Sequence, residues 1–282
     1  MPNGANRVML LSIILELTSQ RAGVLPPHLG RAHHSVFLEW VAGFDAPLAT
    51  ALHDFEGVKP FTCSSLLGVT PTPDGLPLRA GETVSVRITS LDAVLSSQLE
   101  AHLTESAPTQ WNLHNHPFAV TAVICDARRN SWSGSTTCEE LAARYLVAGE
   151  APSPTITLEF AAPTAFKSRE MHIPLPLPGL VFGSLLDRWN AVSPVQLPDD
   201  VRAFAEDTVA VSQYNLRSAA VRHKQNSVLI GGTGTITYRV LGGDRYWLAC
   251  LNLLADFALY CGVGVKTATG MGQARRMADR RK

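Results

Sequence analysis

Residues 7–17 alternate about Val8, Leu10, Ser12, Ile14 and Glu16, a period of two that predicts a first strand. A turn rich in glycine and proline follows (Gly23, Pro26, Pro27, Gly30), then a helix over 31–43 with Phe37, Leu38 and Val41 on one face. Asp45-Ala-Pro47 has the chemistry of a helix start, since proline suits the first helical turn, and the short helix after it runs to Asp54. Strands are expected at 61–69 and 83–89, a helix at 91–104 and a strand at 117–126. Strand–helix–strand–strand–helix–strand is the ferredoxin-like plan. The second half repeats it more loosely. A helix is expected over 136–148, a strand over 155–160 and a helix over 179–192. Strands follow within 208–241 around Gly231-Gly-Thr-Gly234, with a final helix over 244–260 and a basic terminal strand. The expected fold is therefore α+β, with two tandem ferredoxin-like (RRM-like) domains, 1–127 and 128–282, the second carrying a glycine-rich loop near its end.

A chain of 282 residues, 46% hydrophobic and 17% charged, has material for two packed cores. No apolar run reaches the roughly 20 residues of a membrane span, and residues 8–17 read as a strand rather than a signal segment. Cys63, Cys125, Cys138, Cys250 and Cys261 are odd in number, scattered and free of CxxC pairs. That pattern indicates neither a disulfide framework nor a zinc site, and points to a reducing cytoplasm.

Formal charge is zero, from 24 basic and 24 acidic residues, but it is unevenly placed. Residues 263–282 hold six basic side chains against Asp279 alone, so that stretch is +5 and the remainder −5. Arg128-Arg129, Lys167 with Arg169, and Arg222-His223-Lys224 are further basic groups. Such clusters suit a phosphate-binding face, and equally a solvated terminus.

The segment Gly262-Val-Gly-Val-Lys-Thr-Ala-Thr-Gly-Met-Gly272 invites a nucleotide-binding reading, which its spacing refuses. A P-loop needs glycine directly before Lys266, where Val265 stands. The dinucleotide fingerprint needs a third glycine where Thr267 stands, and only ten residues follow Gly272. Two readings remain: a backbone-amide cradle for an anion beside Lys266 and Thr267, or a flexible hairpin.

The same segment resembles the signature loop of the RAMP superfamily, specifically the CRISPR-associated endoribonucleases that process precursor crRNA. Other blocks follow in the family's order: Leu52-His53-Asp54 with Lys59-Pro-Phe-Thr62 and Ser64-Ser-Leu66, then Ser131-Trp132 with Phe160-Ala-Ala-Pro-Thr-Ala-Phe166-Lys167, and Leu180 to Asn190. The resemblance implies two ferredoxin-like domains, binding of CRISPR repeat RNA, cleavage within each repeat, and further effector subunits as partners. No membrane and no nucleotide cofactor are expected.

RNA carries its own nucleophile, the 2′-hydroxyl. Cleavage needs a base for that proton, an acid for the departing 5′ oxygen, and stabilisation of charge on phosphorus. No cofactor or metal is required, and the expected ends are 5′-hydroxyl and 2′,3′-cyclic phosphate. Histidine suits the proton transfers. The apolar stripe of 47–55 is Leu48, Ala51, Leu52 and Phe55, which turns His53 toward solvent or ligand. The resemblance places a catalytic histidine at His53 and a charge-stabilising lysine at Lys59. A surface histidine and a loop lysine are the plain alternatives.

His33 and His34 are rivals, because some relatives carry the histidine on the first helix. His34 is expected on the stripe of Phe37, Leu38 and Val41, and His33 near Phe37, Trp40 and Phe44. RNA contacts are expected from Gly262, Gly264, Lys266, Thr267, Gly270, Gly272, Arg275 and Arg276, with Arg128 and Arg129. His114-Asn-His116 has no carboxylate or cysteine group beside it in sequence, so it reads as a loop between strands. A non-catalytic RNA-binding RAMP subunit is the alternative function, and a ferredoxin-like small-molecule binder a third.

Overall fold

A computed structural model describes residues 9–72, 74–147, 152–223 and 227–278. The chain divides into two compact units, Leu10–Ser135 with Ala268–Gly270, and Thr136–Thr267 with Met271–Lys282.

The first unit runs β1 (Met9–Ser19), β2 (Gly23–Leu25), α1 (Gly30–Ala42), α2 (Ala46–Asp54), β3 (Phe61–Cys63), β4 (Leu76–Leu78), β5 (Thr83–Ser90), α3 (Ala93–Glu105), β6 (Gln110–Leu113) and β7 (His116–Ile124). Its antiparallel sheet has the order β3-β5-β1-β7-β6. The first four of these strands take the ferredoxin-like arrangement, with β1 between β5 and β7. Alternate residues Leu11, Ile13, Leu15 and Leu17 of β1 enter the core, joined by Phe37 and Val41 of α1 and by Leu95, Leu99 and Leu103 of α3 at helical spacing. Full burial of one such side chain contributes about 1.5–3 kcal/mol. Asp45 caps α2, its Oδ1 accepting from the Leu48 amide at 2.9 Å, and Asp92 caps α3 in the same way.

Three features of this unit depart from the expectations. The strand expected over 61–69 stops at Cys63, and the pairs β2–β4 and β6–β7 are additions. His114 and Asn115 form the two-residue turn between β6 and β7, both at positive φ (52° and 60°), as a tight hairpin demands. His116 is buried, its Nε2 bonded to Ser19 Oγ at 2.7 Å.

Short β8 (Gly134–Thr137), which pairs with β1 in the first sheet, leads into the second unit, where α4 (Cys138–Ala142) is followed by a π-turn (Ala143–Val147) and β9 (Thr155–Thr164). The hairpin β10 (Phe166–Ser168) and β11 (Met171–Ile173) precedes α5 (Pro178–Val192), α6 (Asp200–Thr208), β12 (Val209–His223), β13 (Ser227–Val240), α7 (Arg245–Cys261) and β14 (Ala274–Arg276). The sheet order β12-β13-β9-β14 is again ferredoxin-like. Trp189 of α5 meets Phe257 of α7 edge-on at 5.2 Å, and both are fully buried.

The helix expected over 136–148 is only one capped turn before it widens. Thr137 and Glu140 form a reciprocal capping box. Residues 148–151 lie outside the described range. Gly231-Gly-Thr-Gly234 is not a turn but the middle of β13, where the pairing register shifts. A Cβ at Gly231 would meet the Thr164 amide nitrogen at 2.6 Å, and one at Gly234 the Asn215 carbonyl at 2.0 Å. These glycines serve close strand approach.

Candidate active site and RNA-contact residues

The buried stripe of α1 is Gly30, His33, Phe37 and Val41. This corrects the expected one: His33, not His34, points into the core. His33 is wholly buried, its Nδ1 donates to the Ser64 carbonyl at 2.8 Å, and its ring meets Trp111 edge-on. Burial lowers its pKa to about 4, so the ring is neutral at physiological pH.

His34 sits one step round the helix and is half-buried. Its ring stacks on Phe61 at 5.4 Å, and its Nδ1 lies 3.0 Å from the Ala268 carbonyl. A carbonyl oxygen only accepts, so the proton is on Nδ1, and in the neutral ring Nε2 carries the lone pair. Burial is the first cause holding the His34 pKa below its ordinary value. Lys59, His53 and Arg31 push the same way through their charges, while the Ala268 bond opposes. Three cationic or ionisable side chains thus lie close enough for their charges to act on one imidazole.

His53 is exposed on the last turn of α2, as its helical position requires. Lys59 returns to that helix end, and its Nζ donates to the carbonyls of Leu52 (2.9 Å) and His53 (2.7 Å). The contact satisfies carbonyls that a helix C-terminus leaves open. It also fixes the ammonium beside His53. Arg31 precedes His34 by three residues, which puts both on one helix face. Sequence reasoning missed Arg31, although that spacing was the available signal.

The glycine-rich segment is not an open cradle. Gly262, Gly264, Gly270 and Gly272 all have positive φ and are buried. The amides of residues 262, 263, 264, 265, 271 and 272 already donate within the protein, to Ala258, Gly272, Ser184, Ala165, Lys266 and Pro163 respectively. The Arg188 guanidinium, on α5, holds the Gly264 and Cys261 carbonyls at 2.6 and 3.3 Å. Thr267 is buried, and only Lys266 of this run is exposed. The glycines therefore permit a tight internal crossing, which corrects the expectation that their amides face an anion.

Arg275 and Arg276 are also engaged. Arg275 pairs with Glu159 at 2.7 Å, and Arg276 with Asp256 at 3.5 Å while donating to Tyr145 Oη at 3.2 Å. Tyr145 Oη in turn lies 2.5 Å from Asp256, and burial together with that carboxylate pushes its pKa up. Arg128 is exposed and paired with Asp126 at 3.1 Å, and Arg129 is exposed. Residues 279–282, which hold three of the expected basic side chains, lie outside the described range.

Free positive surface in the second unit lies instead on β12 and β13. No acidic residue occurs from 209 to 240, and Arg217, Arg222 and Arg239 are exposed together with Tyr214. Arg217 pairs across the ladder with Thr233, and Arg239 follows at even spacing along β13 with Thr235 and Thr237 between. Only Arg222 of this group stood out in the sequence, because a strand pattern alone does not show which strand lies at an edge.

Two tandem ferredoxin-like sheets, with a glycine-rich crossing after the last helix, define the fold. The solved structure of an RAMP protein binding different RNA substrates shares this fold at a TM-score of 0.59 with 17% identity. The chain belongs to the Cas6 family of CRISPR-associated endoribonucleases. The description "CRISPR-associated endoribonuclease Cas6" matches residues 158–274, and "CRISPR Cas6 N-terminal domain" matches residues 9–143. A solved Cas6 product complex is 30% identical, covering 95% of this chain and all of that one, with a TM-score of 0.77. Thermus thermophilus Cas6 is 27% identical over 95% of this chain and 98% of that one, with a TM-score of 0.72. The Cas6 endoribonuclease of Mycobacterium tuberculosis is 33% identical over 122 residues, and that of Streptococcus thermophilus 28% over 116. The matched segments span 37% and 46% of those two relatives and 42% and 40% of this chain. Among the described residues no helix is long and apolar enough to cross a membrane.

Proposed function

We propose that this protein cuts CRISPR repeat RNA in precursor transcripts, using the 2′-hydroxyl as nucleophile and no metal ion. The observation that carries the reading is the convergence of Lys59, His53 and Arg31 on the half-buried imidazole of His34. Family membership supports RNA cleavage as the reaction class. The first domain supplies the chemistry, and both domains supply RNA contacts.

His34, neutral and protonated on Nδ1, takes the 2′-hydroxyl proton at Nε2. Its lowered pKa suits a base, because the lone pair is present across the neutral range. The oxygen attacks the adjacent phosphorus, and the bond to the 5′ oxygen breaks, leaving a 2′,3′-cyclic phosphate. Protonated His53, in solvent at the end of α2, returns a proton to the departing 5′ oxygen. Lys59 and Arg31 stabilise the charge that grows on the phosphoryl oxygens. His33 has no place in this scheme, since its ring is neutral and enclosed. RNA phosphates outside the scissile step meet Lys266 and the arginines of β12 and β13.

Single-turnover cleavage of repeat RNA by full-length protein tests these roles. His34→Ala and His53→Ala are each expected to lose cleavage while keeping RNA affinity within about twofold. If either variant cuts at the wild-type rate, that histidine leaves the scheme.

A further inference from the structure

The three residues at the tip of the glycine-rich segment pack with the first unit, and Ala268 is part of its core. What holds them there is specific. Gly270 forms a parallel bridge with Ser64, and the His28 ring packs against Gly270. Gly30 opens α1 directly against the tip: a Cβ on it would lie 2.2 Å from the Thr269 carbonyl oxygen and 2.4 Å from Gly270 Cα. A Cβ on Gly270, which has φ of 97°, would strike Gly30 Cα at 2.6 Å and the His28 ring at 2.8 Å. Two glycines and one histidine thus fix the position of the Ala268 carbonyl, the group bonded to His34 Nδ1.

We infer that the Ala268–Gly270 tip is a positioning device for His34: Gly30, His28 and Gly270 dock it so that the Ala268 carbonyl selects the Nδ1–H tautomer and aims Nε2 at the scissile position. The inference rests on His34 being the base of the proposed reaction. In water a free neutral imidazole favours its proton on Nε2, which would leave no lone pair on the outward nitrogen. Without the docked carbonyl, the outward nitrogen would mostly carry a proton and the ring would turn about its Cβ–Cγ bond. A carbonyl that orders a histidine's tautomer acts as the outer-shell acceptor does for metal-bound imidazoles. The glycines of this segment are therefore required for the base as well as for the crossing.

The test has a direct and a kinetic arm, both on the full-length protein. Long-range ¹H–¹⁵N correlation of the histidine rings, with His34 assigned by His34→Gln, is expected to show the Nδ1–H form in the wild type. In Gly30→Ala the same ring is expected to shift to a mixture with Nε2–H. Single-turnover cleavage of repeat RNA should fall by about 10–100-fold, the range of a lost orienting contact. Its apparent pKa should move further down, because the Ala268 bond that opposes the lowering is lost, with RNA affinity within about twofold. His28→Ala, which removes the ring packed against the tip without adding a clash, should show the same changes in smaller degree, and it replaces Gly30→Ala if that variant does not fold. Gly242→Ala, with nothing within 4 Å of the added carbon, should behave as wild type.

An Nε2–H ring in the wild type overturns the inference, and so do a wild-type rate and tautomer in both Gly30→Ala and His28→Ala. If His34→Ala still cleaves normally, the proposed role of His34 fails instead, whatever the tautomer.

Discussion

The histidines around α1 and the arginines at the end of the chain look equally functional in sequence, yet the structure treats them in opposite ways. Around α1, two imidazoles each engage a backbone carbonyl, and one of them, His34, is left half-buried with three charged or ionisable neighbours. At the chain end, Arg275 and Arg276 are closed into ion pairs with Glu159 and Asp256. The lesson concerns availability. A +5 tail counts charges, but a charge facing an internal carboxylate has little left for a phosphate. A histidine bonded to one carbonyl keeps a second nitrogen to act with.

The contrast is broken or sharpened most strongly at His34. His34→Ala is expected to slow single-turnover cleavage by about 10²–10⁴-fold, the usual worth of a general base. In the wild type the ascending limb of the pH–rate profile should lie below the ordinary histidine range, because the acting form of His34 is the neutral ring. A rate that instead falls through that pH range would make His34 the acid.

His33 gives the next largest effect, on stability alone. Its folded-state pKa of about 4 lies below the unfolded value near 6.5. The unfolded chain therefore takes up the proton first, and stability present above pH 6.5 is lost as pH falls toward 4. Between pH 7 and 5 the loss is about 2 kcal/mol, at 1.36 kcal/mol for each unit. Denaturant titration at the two pH values should show a slope in the wild type that is about 2 kcal/mol smaller in His33→Gln.

Arg276→Ala should lower stability by about 1–2 kcal/mol, since the Tyr145–Asp256 pair loses a donor. It should leave the salt dependence of RNA binding unchanged. Arg217→Ala and Arg239→Ala should do the reverse. Each is expected to leave thermal unfolding unaltered and reduce the slope of log K against log salt by about 0.7, the value for one phosphate contact on single-stranded RNA. Equal slopes for the paired and unpaired arginines would remove the distinction drawn above.

Much of the fold was legible in the sequence. Asp45 and Asp92 cap helices where polar residues precede apolar spacing, and Thr83–Ser90 pairs as its alternation indicates. The short pairs β2–β4 and β10–β11 were not legible, because three-residue strands carry too little periodicity. Helix α6 was missed as well: its buried positions are only Val201 and Ala205, amid charged residues.

Gly231–Gly234 misled because glycine marks both turns and close backbone approach, and only the neighbouring strand decides which. At the site, His53 facing solvent followed from helical angle. The exchange of roles between His33 and His34 did not, because the burial of α1 is set by Gly30 lying against residues about 240 positions later in the chain. The Ala268 carbonyl belongs to the same long-range packing.

The most direct test of the central claim is to map both product ends after incubating the purified protein with repeat RNA from its own genome in excess EDTA. A single cut within each repeat is expected, leaving a 5′-hydroxyl and a 2′,3′-cyclic phosphate, with no such product from His34→Ala. A requirement for metal, a 5′-phosphate end, or undiminished cutting by His34→Ala would contradict the account.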